Sequence, residues 1–219
     1  MFCFLHLCLL ILFIEETNSV EKILNKIKRV IQINRYMVFR LPSSWEVPLL
    51  SDFNLLKCEE ASPELIKMLF EDDSGRLELF LKFIKSGMKG IIHYDGDKWV
   101  SYAWMSCPGT LGPNHLPFVK RLKVYWIHYC RTREEFQSQG LYKRSLIKLC
   151  EIARKIDPLG EVYIDTETDN FPSIRAIQRV GFQLDGFIET LSINVPKFRF
   201  IILKNWSRGK EIEEGAEKQ

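Results

Sequence analysis

The sequence has no CxxC pair and no cysteine–histidine spacing of the kind that holds zinc, so no metal site is expected. Its six cysteines, Cys3, Cys8, Cys58, Cys107, Cys130 and Cys150, are scattered. Cys107 precedes a Pro-Gly loop, and Cys130 and Cys150 fall inside apolar-periodic segments, the pattern of free buried thiols in a reducing compartment. Charge of one sign is also scarce. The net charge of +3 is too small to argue for nucleic acid, and acidic and basic residues are interspersed, so no nucleic-acid partner is expected. A membrane-crossing run is missing too. Phe2 to Ile14 is apolar apart from His6, but thirteen residues span about 20 Å of a roughly 30 Å hydrocarbon core. The same stretch lacks the basic start and small-residue cleavage site of a secretory signal, and a cytoplasmic location is expected. There is no internal repeat and no linker after residue 40.

What is present is the composition of an ordinary soluble protein: 219 residues, 46% apolar and 27% charged, enough for one full domain with extra elements. Residues 1–35 read as the apolar segment followed by a basic amphipathic helix. In that helix Val20, Ile23, Leu24, Ile27, Val30 and Ile31 share a face, with Lys22, Lys26, Lys28 and Arg29 elsewhere. Such a helix can lie on a membrane surface or pack on the domain or a partner. Residues 36–206 read as a single α/β domain, and residues 207–219 as a charged, disordered tail.

Within the domain, YMVFRL (36–41) and FNLLKC (53–58) read as short strands. SPELIKMLF (62–70) opens a helix with a Ser cap and a Pro at the first helical position. RLELFLKFIK (76–85) is a second amphipathic helix, ended by Gly87 and Gly90. Two β-rich runs flank Asp95-Gly96, a strong hairpin signal. A Pro/Gly-rich connection (107–117) leads to the strand KVYWIHYC (123–130). A long helix follows over 141–156, then the strand EVYIDTE (161–167), a short helix over 171–180 closed by Gly181, and an antiparallel pair, 186–195 and 198–206. This order implies a mixed, mostly antiparallel sheet with helices on both faces.

The helix beginning at Leu141 has an unusual start. No Ser, Thr, Asp or Asn directly precedes it, and Lys143 and Arg144 stand in its first turn, where the helix dipole is already positive. Two readings fit. One is a solvated helix end with Ser138 or Gln139 bonding locally. The other is an anion site, in which a strand, a polar loop, Gly140 and free helix amides cradle a phosphate.

Two motifs bear on that choice. Gln137-Ser138-Gln139-Gly140-Leu141-Tyr142 resembles the Gln/Arg-x-x-Gly-x-Gly/Ala loop of the GCN5-related N-acetyltransferases, in the form with Tyr at the last position. DTETDNFPSIRAIQRVGF places Asn170, Ser173 and Gly181-Phe182 at that family's spacing. With the element order, the resemblance covers about residues 53–205. It implies the acyl-CoA N-acyltransferase fold and acetyl-CoA as cosubstrate. Backbone groups near Cys130 and Thr132 would pair with the pantetheine arm. Amides of Gln137, Ser138, Gln139, Gly140, Leu141 and Tyr142 would hold the pyrophosphate, and Asn170 and Ser173 would lie beside the pantetheine or the departing thiol. The acceptor would be the amine of a small molecule or a protein. A non-catalytic CoA-binding scaffold is the alternative.

Direct transfer needs a neutral amine, a donor for the oxyanion and a proton for the leaving thiolate. The family's usual proton donor, a Tyr four residues before the Gly-Phe, is replaced by Ile177. Glu167 and Asp165 share one face of their strand by alternation and can take the ammonium proton. His128 is a second candidate base and the only histidine expected near the site. Each has a plain alternative: a solvated strand end for Glu167, a packed strand histidine for His128. Tyr142 reads as a packing residue on the helix. Trp99, Tyr102, Trp104 and Trp126 are candidates to line the acceptor pocket, or core.

Overall fold

The computed structural model describes residues 31–48, 56–195 and 198–208. The eight strands are β1 Ile31–Arg40, β2 Lys57–Glu60, β3 Lys89–Asp95, β4 Lys98–Ser106, β5 Tyr125–Thr132, β6 Val162–Glu167, β7 Gln183–Val195 and β8 Phe198–Arg208. They form one sheet in the order β2-β3-β4-β5-β6-β1-β7-β8. Among the described residues every pairing is antiparallel except that of β5 with β6. The helices are α1 Pro63–Leu69, α2 Ser74–Lys85, α3 Leu141–Ile156 and α4 Phe171–Val180.

Local chemistry explains most of the boundaries. Ser62 caps α1 by accepting from the Leu65 amide at 3.2 Å, and Asp73 caps α2 by accepting from the Arg76 amide at 3.0 Å. The β3–β4 hairpin turns through Gly96-Asp97, with Gly96 at φ +58°. Asn170 caps α4, and Gly181 ends it at φ +106°. A single-turn 3-10 helix at Pro117–Arg121 lies in the connection between β4 and β5.

Alternation along the strands sorts the helices onto two faces. Ile91, Ala103, Met105, Ile127 and Ile164 face α3 and α4, meeting Leu146, Leu149, Cys150 and Ile177. Ile92, Tyr102 and Trp104 face the opposite way, onto Leu65, Ile66, Phe80 and Phe83 of α1 and α2. On that same side Val38, Trp126, Tyr163 and Ile188 pack against Leu116 and Val119 of the β4–β5 connection.

Two early elements differ from the sequence reading. Ile31 to Arg35 belong to β1, not to the end of an amphipathic helix; the remainder of that helix lies outside the described residues. β1 inserts between β6 and β7, where backbone ladders on both sides favour an extended chain. β2 likewise begins at Lys57, later than the 53–58 reading, and residues 53–55 are outside the described set. None of the described helices is long and apolar enough to cross a membrane. Residues 207 and 208, read as the start of the tail, belong to β8; the rest of that tail and the apolar run at 2–14 are outside that set.

Candidate active site

The parallel pairing of β5 and β6 is short. It runs from Tyr125↔Val162 to Ile127↔Ile164 and stops, so the two strands part at His128 and Asp165. Just beyond that point β5 carries a bulge. Tyr102 pairs with Arg131 and Trp104 with His128, so Tyr129 and Cys130 oppose Ala103 alone, with Tyr129 at φ +54°. The bulge turns Tyr129 onto the aromatic cluster of α2 and leaves Cys130 on the α3 side.

On the α3 side the parting strands open into a cleft of about 680 Å3. Its floor is Cys130 and Thr132 of β5, one wall is Gln137, Ser138, Gly140, Leu141 and Tyr142, and the other is Asn170 and Ser173 of α4. Of the residues expected to touch cosubstrate, Gln139 alone is not part of the lining; its side chain donates instead to the Glu135 carbonyl at 3.4 Å. The charged residues of the lining are Arg131, Lys143, Arg175 and Arg179, with no carboxylate among them. The cleft is therefore a strongly positive, partly apolar groove.

Its end wall is the start of α3. Gly140 is left-handed (φ +77°), no side chain caps the helix, and nothing lies within 4 Å of where a Gly140 Cβ would be. Ser138, also left-handed at φ +63°, does not bond back to the helix amides. Successive amides are thus presented toward the groove, the arrangement that binds phosphates. The like charge of Lys143 and Arg144 at this end is unfavourable for an empty helix and favourable for one that holds an anion.

Tyr142 packs against the core, as its place in the helix suggests, but its hydroxyl also reaches Ser173 Oγ at 3.2 Å across the groove. Burial, with the Cys130 thiol beside it, pushes the phenol well above its ordinary value, so it is a neutral O–H donor. Burial likewise raises Cys130 to about 12, an inert thiol. Ile177 is fully buried in the core beneath α4 and offers no proton.

The acid–base candidates stand on the other side of the parting strands. His128 is buried, and its Nε2 lies 2.8 Å from Ser106 Oγ. Because the Ser106 hydroxyl donates to the Leu111 carbonyl, Nε2 must carry the proton in that contact. Burial lowers His128 to about 4; Asp165 opposes the shift and His115 adds to it. Asp165, with a side chain 4% exposed, accepts from Trp126 Nε1 at 2.6 Å and pairs with His115 Nε2 at 2.7 Å. Glu167 is exposed, two residues further along the same face, opposite Tyr36 of β1.

His115 was not expected. It comes from the Pro/Gly-rich connection, fifty residues from Asp165 in the chain, and no local pattern marks it; His128 is therefore not the only histidine here. The expected aromatic lining is mostly core: Trp104 and Trp126 are fully buried, and Trp99 and Tyr102 pack against Phe70. The signal for these was ambiguous, since strand aromatics serve core and pocket alike.

An open, mostly antiparallel sheet that parts between two parallel strands, with an amide-rich helix start at the opening, defines the acyl-CoA N-acyltransferase fold. The acetyltransferase (GNAT) family model matches residues 54–182, more than half of the chain, and the chain belongs to that family. Similar solved structures include a GCN5-related N-acetyltransferase-like protein from Streptococcus suis, at 14% identity over 78% of this chain and 67% of that one, TM-score 0.51. A Staphylococcus epidermidis protein of unknown function aligns at 17% identity over 83% of this chain and 69% of that one, TM-score 0.50. A Drosophila protein aligns at 15% identity over 81% of this chain, TM-score 0.51, and this chain spans only 57% of it. At such identities the likeness is one of fold. No curated protein matches the sequence.

Proposed function

We propose that this protein is an acetyl-CoA-dependent N-acetyltransferase that moves the acetyl group directly to the amine of a small molecule or protein. The observation that carries the reading is the groove. It joins uncapped helix amides at Gly140 to a lining that is cationic and free of carboxylates, and it leads to the parting of β5 and β6. A long, polyanionic ligand with an apolar arm fits those features. The pyrophosphate would lie on the amides from Ser138 to Tyr142, in the phosphate-loop form with Tyr at its last position; the Gln137 amide, expected among them, donates instead to the Glu134 carbonyl at 3.1 Å. The arm would run beside Cys130 and Thr132, and Asn170 and Ser173 would flank its end.

The acceptor reaches the thioester from the side that carries Asp165, His128 and Glu167. His128 starts as a neutral imidazole that burial keeps from charging, which weakens it as a base; Glu167 lies exposed at the strand end. The Tyr142 hydroxyl, bonded to Ser173, is placed to protonate the departing thiolate. A non-catalytic CoA-binding role would keep the groove without turnover.

Thermal unfolding with and without acetyl-CoA tests the reading. A ligand at about 100 times its Kd stabilises the native state by about 2.7 kcal/mol. For a domain of this size that raises Tm by roughly 5–10 °C. The expected result is a shift of that order, abolished in Gly140→Glu. No shift with any acyl-CoA would refute acyl-CoA binding, and binding without CoA release on any amine would leave the scaffold role.

A further inference from the structure

We infer that His115 is the general base that deprotonates the acceptor amine, with Asp165 as its positioning residue; the inference rests on the acetyl-transfer reading above. Asp165 is the first residue of β6 past the last β5–β6 pair, so it stands where the two strands part. Both of its oxygens are engaged, Oδ1 by the Trp126 indole at 2.6 Å and Oδ2 by His115 Nε2 at 2.7 Å. Among the described residues its ionic partner is His115, not a lysine or arginine. A buried carboxylate with that partner stabilises an imidazolium forming beside it, the same service an acid gives a histidine in hydrolytic triads. Because Nε2–H donates to the carboxylate, the basic lone pair of neutral His115 is on Nδ1.

The position of His115 is set by the packing around it. Leu116, its neighbour, is fully buried, and its amide closes a turn on the Pro113 carbonyl at 3.1 Å. The Tyr36 ring lies 5.0 Å from the imidazole, centroid to centroid. The imidazole keeps a side-chain exposure of 32%, so solvent and an incoming amine can reach it. Among the described residues, the titratable groups that face it include Asp165 of β6, His128 of β5 and Tyr36 of β1. The pair stands at the parting of β5 and β6 to which the groove leads, and Asp165 is held there by Trp126, on the face of the sheet away from α3.

His115 takes one proton from the acceptor ammonium. The nitrogen lone pair forms the C–N bond at the thioester carbonyl, and collapse of the tetrahedral adduct breaks C–S. Tyr142 gives its hydroxyl proton to the thiolate and is restored by the second nitrogen proton, giving the amide and CoA thiol, and imidazolium His115 returns its proton to water.

The test measures kcat/KM against pH for wild type and His115→Gln, with butylamine, phenethylamine, spermidine and a lysine-containing peptide as probes. The expected result is a loss of at least 100-fold near neutral pH that shrinks toward the amine's own pKa, with acetyl-CoA Kd within twofold of wild type. A loss under threefold, or a larger one independent of pH, overturns the proposal. Should none of the amines turn over, imidazole NMR on the acetyl-CoA complex decides. His115 signals that shift on adding acetyl-CoA, with a titration midpoint lowered by Asp165→Asn, support the role; signals that ignore both overturn it. Failure of wild type to bind acetyl-CoA sinks the transfer reading itself, whereas full activity in His115→Gln sinks only the base.

Discussion

Tyr142 in the first turn of α3 and Ser173 in the first turn of α4 meet through their hydroxyls at 3.2 Å, joining the two walls of the groove. The contact gives α3 a polar function on a residue whose ring is otherwise packing. On the acetyl-transfer reading it would supply an O–H to the departing thiolate, in a fold whose usual tyrosine position is the buried Ile177.

Tyr142→Phe keeps the ring and removes the donor. The expected outcome is a loss of about 10- to 100-fold in kcat, at the low end of general-acid effects because a thiolate is already a good leaving group. Acetyl-CoA affinity, read by calorimetry, should stay within about threefold. Unchanged kcat on an amine that turns over would remove Tyr142 as the acid.

Stability should fall on acidification below neutral pH. His93 and His128 are both buried, and burial lowers each to about 4 from 6.5. Between those values the unfolded chain binds protons that the folded chain refuses, so stability rises with pH across the window and is lost as pH falls through it. Each group contributes about 3 kcal/mol to that slope at most. Urea unfolding at about pH 7 and pH 4.5 should show the loss, and His93→Gln should make it smaller. An equal slope in that variant would mean that His93 charges freely in the folded state.

Gly181 is where the end of α4 meets Trp45. Its φ is +106°, and an added Cβ would lie 3.0 Å from the indole, whose Nε1 donates to the Val180 carbonyl at 2.7 Å. Gly181→Ala should therefore cost about 1–3 kcal/mol from left-handed strain and displacement of the indole. Denaturant unfolding measures it; a variant as stable as wild type would mean that the loop carrying Trp45 yields without cost.

The two helices that build the groove were legible in the sequence to the residue, because their ends are written locally. Pro172 and Gly181 bound α4, and the glycine at 140 bounds α3, whatever the rest of the chain does. The strand β1 was legible only in part. Ile31, Ile33 and Tyr36 fit more than one periodicity, and what selects the extended form is the pair of ladders from β6 and β7, more than a hundred residues away.

The same division runs through the site. The order of elements, with the family resemblance carried by the Gly140 and Asn170 motifs, is enough to set the class of fold, and the helix start at 140 marks where phosphates can sit, since helix-end amides and their charges are local properties of the chain. Where β5 and β6 part, which side of the sheet Asp165 faces, and that His115 reaches it are decided by tertiary structure alone. Those relations depend on strand register, on a bulge at Tyr129 and on how a proline-rich connection packs over the sheet. No pattern within a few residues encodes them, because the groups that meet are supplied by separate elements and brought together only by burial of the core between them.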